Sequence, residues 1–119
     1  MTEAQEQTAL FRWAAYASGK YPDLVLMFHI PNGGTRDVIE AKHLKDQGVK
    51  SGVPDIFIPS ARGEYHGMFI EMKSEKGRVS DQQQNWVDRL SDEGYLTVVC
   101  YGFEQAKDEI ERYLQKGKK

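Results

Sequence analysis

Apolar side chains recur along this chain at two spacings, one helical and one extended. Over Glu3 to Ser18, Leu10, Ala14 and Ala17 fall at helical spacing among good helix formers, and Gly19 supplies a stop. The run Leu24-Val25-Leu26-Met27-Phe28 reads as a buried strand, ended by Pro31-Asn32-Gly33-Gly34. Thr35 is placed to N-cap a second helix, Arg36 to Gln47, which Gly48 closes. Two strands follow: Gly52 to Pro59, bracketed by Gly and Pro, and Met68 to Lys73, which alternates after a Gly-containing loop. Ser80 and Gln83 make an S-x-x-Q capping box for a helix running to about Glu93. Gly94 ends it, Tyr95 to Tyr101 is rich in β formers, and a last helix from about Glu104 to Gln115 carries Ala106, Ile110 and Leu114 on one face.

The order is therefore α-β-α-β-β-α-β-α. The strand–helix–strand step near the end implies a right-handed parallel crossover, and the middle strands suit a hairpin. The expected fold class is α/β: a single-domain mixed β-sheet flanked by helices, spanning residues 1–119.

Composition narrows the function. A chain of 119 residues has room for one continuous core, and 39% hydrophobic with 29% charged residues describes a folded, soluble domain. The apolar run at Leu24 is far short of the ~20 residues that cross a bilayer. The polar, acidic start MTEAQEQ reads as neither signal nor transit peptide, and one cysteine, Cys100, excludes an internal disulfide framework. A reducing, cytoplasmic setting without membrane contact is expected. A net charge of −2 argues against a protein that coats DNA nonspecifically. Nucleic acid stays open if bound cations neutralise the acids or if the bases gather on one face.

Strand parity supplies the sharpest chemical clue. Glu71 and Lys73 are two apart, so both leave one face of their strand, while Ile70 and Met72 point the other way. In the partner strand Asp55 shares the parity of Phe57. If the hairpin aligns these faces, Asp55, Glu71 and Lys73 converge. Two carboxylates and an ammonium suit metal-assisted hydrolysis. Mg²⁺ or Mn²⁺ takes hard oxygen ligands, lowers the pKa of a bound water and offsets charge on a phosphate. The lysine orients that water or stabilises the transition state, and the backbone carbonyl of Met72 is a further oxygen for the metal.

Pro54-Asp55 followed by Glu71-Met72-Lys73 resembles the PD-(D/E)XK nuclease signature. The element order matches a restriction-endonuclease-like αβββαβ core once Arg36–Gln47 is taken as an inserted helix. More narrowly, the chain resembles the VRR-NUC family of that superfamily, in its stand-alone form. The segments that carry the likeness are the Glu3-to-Gln7 helix, His29 to Gly34, Gly48 to Asp55, Phe69 to Lys73 and Ser80 to Trp86. The resemblance implies Asp55 and Glu71 as metal ligands, Lys73 as the catalytic lysine and Gln83 as the glutamine after the core motif. Helical spacing favours Gln83 over Gln82 and Gln84, because it precedes Trp86, Val87 and Leu90 by three, four and seven residues. For the early acidic residue, Glu3 fits an E-x-x-x-Q spacing with Gln7, and Glu6, four before Leu10, competes with it. The resemblance further implies cleavage of branched DNA, Holliday-junction resolvase-like, leaving 3′-hydroxyl and 5′-phosphate ends. A homodimer follows from the need for two symmetric cuts.

Further candidates are weaker. His29 and Asn32, beside Gly33-Gly34, are placed for substrate contact, although a satisfied polar residue also explains His29. Arg36, Lys42, Lys45 and Lys50 border the site in sequence, and a solvated helix face accounts for three of them equally well. Arg62, Lys76 and Arg78 flank the catalytic strands and are expected at DNA. Alternative functions are a flap or duplex nuclease of the same family, an inactive nuclease fold used for binding, and, remotely, a glycosidase built on the paired carboxylates.

Overall fold

The computed structural model describes residues 1–32 and 37–119. Helix α1 (Glu3–Ala17) opens on a capping box: the Thr2 hydroxyl accepts from Gln5 N–H, and the Gln5 side chain accepts from Thr2 N–H. This fixes the first helical turn, which holds Glu3. Then come β1 (Phe28–His29), α2 (Val38–Asp46), β2 (Ile56–Ile58), β3 (Met68–Lys73), α3 (Asp81–Asp92), β4 (Leu96–Tyr101) and α4 (Phe103–Leu114).

The four strands form one sheet in the order β1-β2-β3-β4. The β1–β2 and β2–β3 pairs are antiparallel, and β3–β4 is parallel across α3, as the hairpin and crossover pattern requires. The mixed α/β sheet flanked by helices is thus the observed architecture. One sheet face presents Ile56, Ile58, Met68, Ile70 and Met72, all fully buried with Leu10 of α1 and Ala106 and Ile110 of α4, and the buried Leu114 joins them. On the opposite face Phe57 stacks on Phe69 at 4.3 Å, with Tyr95 edge-on to both.

Two local expectations are corrected. Leu24 to Phe28 is not a strand: Pro22–Leu26 is a 3-10 helix, and only Phe28–His29 joins the sheet. Leu24 and Met27 are buried while Val25 and Leu26 are exposed, a period of three that suits the 3-10 helix. Helix α2 is capped by Asp37, whose side chain accepts from the N–H groups of Ile39 and Glu40. Thr35, the expected cap, lies outside the described residues.

Candidate active site

The β2–β3 register pairs Ile56 with Ile70 and Phe57 with Phe69. One step further toward the end of the hairpin sit Asp55 and Glu71, on the face shared with Lys73. All three are buried, Glu71 almost completely. Carboxylate oxygens of Asp55 and Glu71, with one from Glu3 in the first turn of α1, all lie within 4.8 Å of one another.

Each acid is held differently. Asp55 Oδ2 accepts the Met72 N–H at 2.8 Å, and the Asp55 carbonyl accepts from Ile30 N–H at 2.7 Å. His29 Nδ1 lies 2.8 Å from the same carbonyl and 3.0 Å from Gln7 Nε2. The carbonyl accepts only from a protonated Nδ1 and the Gln7 amide donates only to an unprotonated one, so the imidazole tautomer sets which of the two contacts is a hydrogen bond. Gln7, one turn beyond Glu3, thereby links α1 to the strand end that presents Asp55.

Glu71 Oε2 accepts from Gln83 Nε2 at 3.3 Å and faces Lys73 Nζ at 3.8 Å. The Gln83 amide is oriented by its capping box, because its Oε1 accepts from Ser80 N–H and leaves Nε2 turned toward Glu71. Of the neighbouring glutamines, Gln84 bonds instead to Asp88. The start of α3 is seated tightly against the chain: Gly52, at φ +88°, would place a Cβ 3.0 Å from the Gln82 backbone. Only glycine suits both that conformation and that approach.

Three carboxylates crowd around one ammonium, so negative charge is in excess. Burial pushes Glu71 up to about 8, and the adjacent Asp55 adds to the shift against the pull of Lys73. Glu3 is exposed as a residue, but partial burial of its carboxyl raises it as well, with Asp55 again contributing. Glu71 Oε1 is buried without a hydrogen-bond donor. When both acids are ionised, such an oxygen calls for a cation. An all-oxygen donor set is the chemistry that Mg²⁺ or Mn²⁺ prefers, so the residues present fit a divalent metal.

Glu6, the other acidic residue of the first turn, lies apart from this group. Its carboxylate accepts the N–H of Phe103 at the start of α4, beside Gly102. Lys76 and Arg78 are exposed between β3 and α3, and Asn32 is half-buried. Arg36 lies outside the described residues. Arg62, expected at the substrate, is engaged by the fold instead. Its guanidinium donates to Asp23, Ser60 and the carbonyls of Leu114 and Lys116, which ties the C-terminal end to the 3-10 helix. Sequence reasoning missed this network because Asp23 and Arg62 are far apart in the chain and neither stands in a motif.

Residues 2–104 match the family model described as the VRR-NUC domain. Among solved structures the chain is similar to one titled "VRR_NUC domain protein", at 32% sequence identity and a TM-score of 0.85, over 99% of this chain and 92% of that one. No curated protein matches it.

Proposed function

Since the chain belongs to the VRR-NUC family of nuclease domains, we propose that it is a Mg²⁺- or Mn²⁺-dependent endonuclease that hydrolyses phosphodiester bonds in branched DNA, in the manner of a Holliday-junction resolvase. The observation that carries the reading is the convergence of Glu3, Asp55 and Glu71 beside Lys73.

Asp55, Glu71 and Glu3 would hold the metal, and the Met72 carbonyl would offer a further oxygen. When bound, the ion supplies Lewis acidity toward the phosphate and an acidified water at neutral pH. Lys73, buried against Glu71, places a fixed positive charge where negative charge grows on the phosphate oxygens. Gln83 keeps Glu71 in one orientation, and His29 with Gln7 steadies the segment that carries Asp55. A water oxygen bonds to phosphorus as the bond to the 3′ oxygen breaks, giving 5′-phosphate and 3′-hydroxyl ends. His29, Asn32, Lys76 and Arg78 contact the substrate around this centre. Symmetric cutting of a four-way junction needs two such centres, so the working form is a homodimer.

The test is a cleavage assay on labelled four-way junction, flap, splayed-arm and linear duplex DNA, with Mg²⁺, Mn²⁺ or EDTA, for the wild type and Lys73→Ala. Paired symmetric cuts on the junction, absent with EDTA and in the variant, are expected. Metal-dependent cutting confined to flaps or duplex would replace the substrate assignment. Junction binding without cleavage under any condition would make the protein a binding module.

A further inference from the structure

Two surface hollows, of about 450 and 420 Å³, have Lys50 as a common wall and together make up one grooved stretch of surface. Three cations line it: Lys45 near the end of α2, Lys50 after it, and Arg89 in the last turn of α3. None of the three forms an ion pair among the described residues, a property they share with Arg12, Lys20, Lys76, Arg78, Lys116 and Lys119, whereas Lys42, Arg62, Lys73, Lys107, Arg112 and Lys118 are paired. Asn32, Gln82 and Asn85 add side-chain amides, and the one acid among the described lining residues is Glu93, in the hollow that Asn32 does not line.

The groove is built on rigid contacts. The Trp86 indole N–H donates to the Ser51 carbonyl at 3.1 Å, and the close seating of Gly52 on Gln82 clamps the same turn to α3. Lys50 is therefore carried on a fixed segment. At its other end the lining is next in sequence to residues that touch the acidic cluster: Gln82 precedes Gln83, which bonds Glu71, and Asn32 stands two residues beyond Ile30, which bonds the Asp55 carbonyl.

We propose that this groove carries the phosphate backbone of one duplex arm of the DNA substrate away from the cleavage centre. Lys45, Lys50 and Arg89 neutralise phosphates, and the amides of Asn32, Gln82 and Asn85 donate to them. This offers a chain of net charge −2 a way to engage a polyanion: three cations without an acidic partner among the described residues line one stretch of its surface. The assignment rests on the nuclease reading above and names the surface that holds that substrate.

Equilibrium binding of a labelled four-way junction in EDTA, titrated with salt, tests it. The triple variant Lys45→Ala, Lys50→Ala, Arg89→Ala should bind about tenfold or more weakly, with a slope of log affinity against log salt shallower by roughly 0.9 for each cation removed. The single reversal Lys50→Glu should weaken binding in the same direction, and melting curves should show both variants folded. Lys107→Ala, on the surface of α4 and paired with Glu111, should change nothing. A triple variant with wild-type affinity and salt slope would overturn the groove while leaving the nuclease reading intact. Wild-type protein that neither binds nor cuts any DNA would overturn both.

Discussion

Asp55 and Met72 are joined by a 2.8 Å hydrogen bond from the strand's backbone N–H to carboxylate Oδ2. One oxygen of a proposed metal ligand is thus committed to holding β3, and the same residue's carbonyl holds the segment at β1 through Ile30. Asp55 is at once a structural acceptor and a member of the acidic cluster.

Two substitutions separate these roles. Asp55→Asn keeps an oxygen for the Met72 N–H and loses the charge, so stability should change little while Mn²⁺ binding and cleavage disappear. Asp55→Ala leaves a buried N–H unpaired and should cost about 1–3 kcal/mol in addition. Calorimetric metal titration with chemical denaturation reads both. Equal stability of the two variants would show that the hydrogen bond contributes nothing.

Glu3 and Glu6 should dissociate in the opposite sense. Glu3 is exposed at the helix start and its side chain makes no hydrogen bond or ion pair among the described residues, so Glu3→Gln should weaken metal binding without lowering the melting temperature. Glu6 caps the first N–H of α4, so Glu6→Ala should cost about 1 kcal/mol with little effect on the metal affinity of the folded protein. Loss of metal binding in Glu6→Ala at a temperature where it is fully folded would reassign the early ligand.

Gln83 acts through Glu71 and should show it as a fault in metal binding. Gln83→Leu removes the amide that orients the carboxylate and should weaken metal affinity about 10–100-fold while α3 stays helical. Excess Mn²⁺ should restore much of the cleavage. If turnover at saturating metal stays as low as in Lys73→Ala, Gln83 touches the reaction itself.

The cluster was legible in advance because a strand's period of two needs only its own sequence: Glu71 and Lys73 must share a face, and a hairpin brings Asp55 beside them. The choice between Glu3 and Glu6 was not, since both stand in one turn. What separates them is where α4 begins, nearly a hundred residues later. The Leu24 run misled because hydrophobicity without its period does not distinguish a strand from a 3-10 helix, although Pro22 at a helix start was a usable signal. Arg89 lies outside the motif segments, and only the packing of α3 against Ser51 and Gly52 places it beside Lys50.

Two carboxyl groups shifted in opposite directions set how stability depends on pH. Asp23 is held well below its ordinary 3.8 by Lys118 first, then by Ser60 and Arg62. Below that value the unfolded chain takes up the proton before the native one does. The stability Asp23 contributes is therefore present above about 3.8 and lost as pH falls. Glu71 behaves the other way: burial keeps its proton on up to about 8, while the unfolded chain releases it near 4.5. The native state then holds the extra proton, and stability declines as pH rises through that window. Metal-free protein should accordingly be most stable near about pH 4–5. A divalent ion displaces the Glu71 proton, so its affinity should increase up to about pH 8 and the alkaline decline should vanish when Mn²⁺ is in excess. Melting temperatures across this range, with EDTA and with Mn²⁺, check both limbs. Asp23→Asn should flatten the acid limb and Glu71→Gln the alkaline one. An alkaline decline that survives in metal-free Glu71→Gln would place its origin in another group and remove the basis for proton-coupled metal binding at Glu71.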